Sequence, residues 1–225
     1  MKKIVLLVEG EGDVKAAPIL LERLLKQQKA WDVATPDRSP PLRVGGINRL
    51  AKTGYREWKR KLVSAMKRPN VGGILLLLDG DAKKLNGEDF CAAKAARELA
   101  AVARSEGGGV NYSVAVVFAR QEFESWLIAG FESLAGKSLP NGRVIAANST
   151  APDGNLEENP RDAKGWLNGV VEGGYKPTRD QAALTKMVDI DAIRNRQPRS
   201  FRRLESAVSE LIAAIRDDAH VVTPS

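Results

Sequence analysis

Two pairs of acidic residues follow two apolar runs of the chain. Glu9 and Asp13 stand as E-x-x-x-D after residues 4–8, and Asp79 and Asp81 stand as D-x-D after residues 73–78, with Gly80 between them. Alternate residues at a strand end point to one side, so Asp79 and Asp81 can converge on one cation. Oxygen donors with open water positions suit magnesium or manganese. The competing reading is a pair of solvated turns, because Asp-Gly is a common turn and Asp13 can simply cap a helix. Two acidic pairs on two buried strands at one sheet edge favour the cation.

Other chemistries are poorly served. The chain has one cysteine, Cys91, and one histidine, His220, which removes disulfide frameworks and Cys/His zinc sites. A Ser-His-Asp triad is equally disfavoured, since His220 lies close to the C-terminus, where chains fray. Gly10-x-Gly12 follows a strand, but Lys15 stands where a dinucleotide fingerprint needs its third glycine, and Glu9 would repel a pyrophosphate. Gly136-Lys137-Ser138 resembles the end of a P-loop. Its partner Gly130 is one residue too distant, and no strand immediately precedes it.

The elements that must position the acids follow from periodicity. Residues 4–8 and 73–78 are continuous apolar runs, the pattern of strands buried on both faces. Residues 42–44 form a shorter strand, and residues 112–119 a fourth. Val14, Ala17, Leu20, Leu21, Leu24 and Leu25 recur at helical spacing after the first strand, with Pro18 tolerated only in a first turn. Tyr55, Trp58, Leu62 and Met66 mark one face of a basic helix, and an Ala-rich helix spans about residues 89–104. A short helix lies around residues 124–129. Strands alternating with helices predict an α/β protein with a Rossmann-like, mostly parallel four-stranded sheet flanked by helices. Residues 131–160 are polar and Pro-rich and read as a long loop. Helical segments near 162–171, 180–194 and 201–215 follow, with Phe201, Leu204, Val208, Leu211, Ile212 and Ile215 on one face of the last. The expected division is a core over residues 1–130 and a loop and helical extension, packed on that core, over residues 131–225.

A chain of 225 residues with 43% hydrophobic and 28% charged side chains is long and apolar enough for a globular core. No run approaches the roughly 18 apolar residues of a membrane span, and the opening run is too short for a secretion signal, so a cytoplasmic protein is expected. The net charge of +7 is unevenly placed. Residues 43–68 hold nine Lys and Arg against Glu57, and residues 176–203 hold eight against Asp180, Asp189 and Asp191. Such segregation suits phosphate neutralisation on a nucleic acid, with Arg56, Lys59, Arg60 and Lys61 as candidate contacts. The alternative is a solvated helix face.

Glu9-Gly10 with Asp13, and Asp79-Gly80-Asp81 after an apolar strand, resemble the Toprim domain of topoisomerases, primases and OLD-type nucleases over about residues 1–130. Gln121-Glu122-Phe123-Glu124-Ser125-Trp126-Leu127, with Tyr175-Lys176 and Ser200-Phe201-Arg202, resembles more narrowly a bacterial Toprim-like family catalogued as a domain of unknown function, over nearly the whole chain. The resemblance implies metal-dependent phosphodiester chemistry on nucleic acid, DNA or RNA. It makes Glu9 a general acid/base or ligand, gives Asp79 and Asp81 to Mg2+ (or Mn2+), and gives Asp13 to a second ion. Glu122 or Glu124 adds a carboxylate, unless Glu124 is only a helix-start acid favoured by the dipole. Lys176 is a candidate transition-state cation, or a solvated lysine. OLD-type nucleases carry a fused ATPase that is absent here, which points to a separate ATPase partner and a context of bacterial defence. The competing functions are a non-catalytic interaction module of an ATPase and a hydrolase of small phosphate compounds.

Overall fold

The computed structural model describes residues 1–225. In chain order it contains β1 (Lys2–Val8), α1 (Glu11–Gln27), β2 (Ala34–Pro36), β3 (Leu42–Arg43), α2 (Ile47–Met66), β4 (Val71–Asp79), β5 (Lys84–Leu85), β6 (Glu88–Asp89) and α3 (Ala92–Ser105). It continues with β7 (Val114–Ala119), α4 (Glu124–Ala129), α5 (Ala163–Val170), α6 (Ala182–Met187), α7 (Ile190–Asn195), α8 (Arg199–Arg216) and β8 (Val222–Thr223).

Strands β2, β1, β4, β7 and β8 lie side by side in that order, all parallel, and β3 pairs with the far end of β1. The sheet therefore has six strands. The two beyond the expected four, β2 and β8, are only three and two residues long and present no apolar run. Parallel neighbours need crossovers, and helices supply them over both faces. The two-fold period of the strands sorts the core accordingly. Ile4, Leu6, Val8, Leu75, Leu77, Ala115 and Val117 pack under α1 and α8, whereas Val5, Leu7, Ile74, Leu76, Leu78, Val114 and Val116 pack under α2 and α3.

The chain beyond residue 130 is part of this architecture. Helix α8 lies across β7 and β4, and β8 extends the sheet, so His220 adjoins a buried strand rather than a frayed tail. Two helices also depart from the periodicity. Helix α1 runs through Pro18, which sits well inside it rather than in its first turn. The lost backbone bond, worth about 3 kcal/mol in a helix interior, is offset by the buried face of Ala17, Leu20, Leu21, Leu24 and Leu25. Helix α2 is interrupted after Lys52 by a left-handed turn at Thr53, Gly54 and Tyr55, with φ of 53°, 63° and 61°. After the break Trp58 and Leu62 are buried, and the Trp58 indole N–H donates to the Leu99 carbonyl at 3.0 Å.

Candidate active site

Strands β1, β4 and β7 all end at one edge of the sheet, and acids stand at or shortly after each end. Glu9 leaves β1, and Asp79 is the last residue of β4. The Asp79 backbone N–H donates to Glu9 Oε2 at 3.1 Å, and Asp79 Oδ1 accepts from the Phe123 N–H at 2.9 Å. One carboxylate thus ties β4 to β1 and the next ties the segment after β7 to β4. The turn at Gly80 is equally tight. A Cβ there would lie 2.9 Å from the Ala119 carbonyl oxygen, so only glycine fits between the strand ends. Asp81 follows it as an exposed carboxylate that takes part in no hydrogen bond or ion pair.

Asp13 occupies the first turn of α1, with Oδ2 accepting from the Gly10 N–H at 2.8 Å. Its other oxygen accepts from Gln181 Nε2 at 2.8 Å. Gln181 comes from the wide helical turn Pro177–Gln181, and a Cβ on Gly12 would collide with its Oε1 and with Pro177. That turn is held by buried Asp180, which accepts from Arg143 and from Arg179 Nε. Both Asp13 oxygens are therefore committed to protein donors, which suits a fastener between α1 and the later chain better than an open ligand.

The segment after β7 adds Glu122 and Glu124, and α5 brings Lys164 among them. Asp162 starts α5, its carboxylate accepting from the Gly165 N–H, and this places Lys164 in the first turn. The Lys164 ammonium donates to Glu122 Oε1 at 2.6 Å and to Asp79 Oδ2 at 3.4 Å, and lies 3.7 Å from Glu124 Oε2. Glu124, 1% exposed, also accepts at Oε1 from the Tyr175 hydroxyl at 2.8 Å. Periodicity could not find Lys164, because it arrives from a loop-rich stretch. The one local signal was Asp162, a helix-starting acid shortly after Pro160.

Charge at this edge is out of balance. Six carboxylates, those of Glu9, Asp13, Asp79, Asp81, Glu122 and Glu124, face the single ammonium of Lys164. Burial pushes the Asp79 carboxyl well above its ordinary value; Lys164 opposes this, and Asp13, Glu124 and Glu9 add to it. Burial also raises Glu9, with Asp81 and Asp13 contributing against the Asp79 N–H. Glu124 is pushed up to about 7 by burial, despite Lys164 and the Tyr175 hydroxyl. Burial works against the charge on Lys164, but Asp79, Glu124 and Glu122 outweigh it and raise its pKa.

No three of these carboxylates already converge as a ligand cage. Magnesium does not require one, since it is usually held by one or two carboxylates with water and phosphate oxygens completing the shell. Unengaged oxygens are present on Glu9, at Oε1, and on Asp81. An oxygen-only set with excess negative charge fits a hard divalent cation.

Other sequence candidates sit differently. Lys176 is exposed beside Tyr175; its N–H donates to Asp180 Oδ2 at 2.9 Å, and its ammonium joins none of the ion pairs at the edge. On α2, Lys59 pairs with Glu106 at 2.8 Å, while Arg60 and Lys61 lie 2.8 and 3.9 Å from Glu57. Arg56 is exposed and has no acidic partner. Phe123, Trp126 and Phe201 are buried together in tilted and edge-on ring contacts, and Trp166 is half-buried against Phe131.

A family model described as "Domain of unknown function (DUF4276)" matches residues 8–209, a span that includes every acid named above. No curated protein and no solved structure matches the chain.

Proposed function

Since the chain belongs to the DUF4276 family, whose description assigns no activity, function has to be read from the site, and we propose a Mg2+- or Mn2+-dependent phosphodiester chemistry on nucleic acid. The observation that carries it is the crowd of carboxylates at one sheet edge with a single ammonium among them. Glu9, Asp79 and Asp81 would hold the cation, because they stand at the ends of adjacent strands, Glu9 and Asp81 keep unengaged oxygens, and Asp79 Oδ2 has only the long 3.4 Å contact to Lys164 to give up. A divalent ion there neutralises charge on a phosphoryl oxygen and makes water more acidic.

The protein's own groups supply the rest. Glu9, its pKa raised by burial and its Oε1 unengaged, is placed to hold or accept a proton. Lys164 offers a permanent positive charge to a phosphate oxygen. Asp13 and Glu124, tied to Gln181 and Tyr175, keep α1 and α4 in register with the strand ends. Arg56, Lys59, Arg60 and Lys61 serve as phosphate contacts away from the edge, and Lys176 as an exposed cation following Tyr175. The ATPase partner and the defence context rest on the Toprim resemblance alone.

One observation favours a second reading. Lys164 already neutralises part of the cluster, which suits an edge that works without a metal ion, in a fold kept for interaction with an ATPase and not for catalysis. Incubating the protein with plasmid, single-stranded DNA and RNA in Mg2+, Mn2+ or EDTA separates the two. Cleavage that needs metal and is lost in Asp79→Asn supports the enzyme; binding without cleavage of any substrate supports the interaction module.

A further inference from the structure

A set of five unpaired cations lies beside the carboxylate edge. Two adjoining clefts, of about 380 and about 430 Å3, share Arg120 and Ala92 in their walls. The first opens at Gly80 and Asp81 and is lined by Lys83, Arg120 and Arg161. The second continues between α3 and the start of α8 and is lined by Arg97, Arg120 and Arg199. All five side chains are exposed, and none of them joins an ion pair or donates a hydrogen bond within the protein. This contrasts with α2, where four of the six cations lie against Glu57 or Glu106. The clefts hold only two acids: Asp81 at the mouth, and Glu157, whose Oε1 is occupied by the Ser200 N–H at 2.6 Å. Five unanswered cations in one concavity make a strong local field for a polyanion.

The floor narrows the class of ligand. Strand β8 pairs only with Val114 and Ala115, and beyond it Ala92, Ala93 and Pro224 give the second cleft an accessible apolar floor, with Val116 and Phe118 buried beneath. Phe90 lines the first, half-buried, with its ring 5.7 Å from that of Phe118 in an edge-to-face contact. A positively charged groove with the part-exposed Phe90 ring and small apolar side chains along it matches a strand whose bases are unstacked and free to lie on that surface. A duplex keeps its bases inside and would leave the floor unused.

We propose that this cleft binds a single strand of nucleic acid and leads its backbone past Arg120 and Arg161 to the carboxylate edge at Asp81. The proposal rests on the phosphodiester reading for its direction, but binding in the cleft requires no metal. The test is fluorescence anisotropy in EDTA, with a labelled oligothymidine, a duplex of equal length, and polyglutamate as competitor. The triple substitution Arg120→Ala, Arg161→Ala and Arg199→Ala should weaken oligothymidine binding at least about tenfold. It should also flatten the salt dependence by about two, at roughly 0.7 per lost phosphate contact. The α2 triple, Lys59→Ala, Arg60→Ala and Lys61→Ala, should lose less. Unchanged binding by the cleft triple, tighter binding of duplex than of single strand, or equal capture of polyglutamate would each overturn the proposal. Strand binding that depends on these arginines without cleavage in Mg2+ keeps the cleft and removes the enzyme. Cleavage that survives the triple substitution does the reverse.

Discussion

The backbone N–H of Asp79 donates to Glu9 Oε2 at 3.1 Å, so the last residue of one central strand holds the first acid beyond its neighbour. The bond uses one Glu9 oxygen to fix the side chain and leaves the other open. It also makes the two acidic motifs, far apart in sequence, a single site. Loss of the Glu9 carboxylate would leave the Asp79 N–H without its partner, and the two carboxylates also repel each other, so substitutions at the two positions should not be additive.

Lys164 is the countercharge of the edge, and its removal should leave Asp79, Glu122 and Glu124 in need of another cation. Lys164→Met is predicted to melt below the native protein in EDTA and to gain more in melting temperature from added Mn2+. Equal metal-induced shifts in the two proteins would contradict this role.

Glu124 gives a pH dependence whose sign is fixed by burial. Its carboxyl is raised from 4.5 to about 7, so the cost of its buried charge grows as pH rises through that interval and is complete above it. Glu124→Gln retains an acceptor for the Tyr175 hydroxyl. In EDTA at pH 8 it should be more stable than the native protein by up to about 3 kcal/mol, at roughly 1.4 kcal/mol per unit, and should lose that advantage below about pH 4.5. Urea unfolding at the two pH values measures it; a difference independent of pH would rule it out.

Asp37 behaves in the opposite sense. Burial pushes its pKa up, but Arg68 at 2.6 Å, the Ser39 N–H and Lys3 at 3.5 Å outweigh burial and hold it below 3.8. The stabilisation is present above that value and fades as pH falls through the lower folded-state pKa. Asp37→Asn should cost about 2 kcal/mol at pH 7, the scale of a charged hydrogen bond, and the gap should close in acid. Denaturation curves for the two proteins that stay parallel down to pH 2 would count against it.

The parts of the site that sit on long apolar strands were legible in the sequence. Residues 4–8 and 73–78 could only be buried strands, and this fixed where Glu9, Asp79 and Asp81 emerge. Lys164 and Gln181 were not legible, because tertiary packing brings them in from short helical turns separated by loops. Strands β2 and β8 are too short to show alternation, and their pairing depends on neighbours already in place. The break in α2 was hidden because it ends at Tyr55, where the helical spacing of Tyr55, Trp58, Leu62 and Met66 begins, so the periodic residues all lie on one side of it. The arginines of the cleft come from four separate stretches of chain, and only the fold collects them.

The central claim is that the strand ends form one divalent-cation site, and calorimetric titration with Mn2+ tests it most directly. The native protein should bind, and Glu9→Gln, Asp79→Asn and Asp81→Asn should each lose about tenfold or more in affinity while keeping the native circular dichroism spectrum. Unchanged affinity in all three folded variants, or no binding by the native protein, would contradict it.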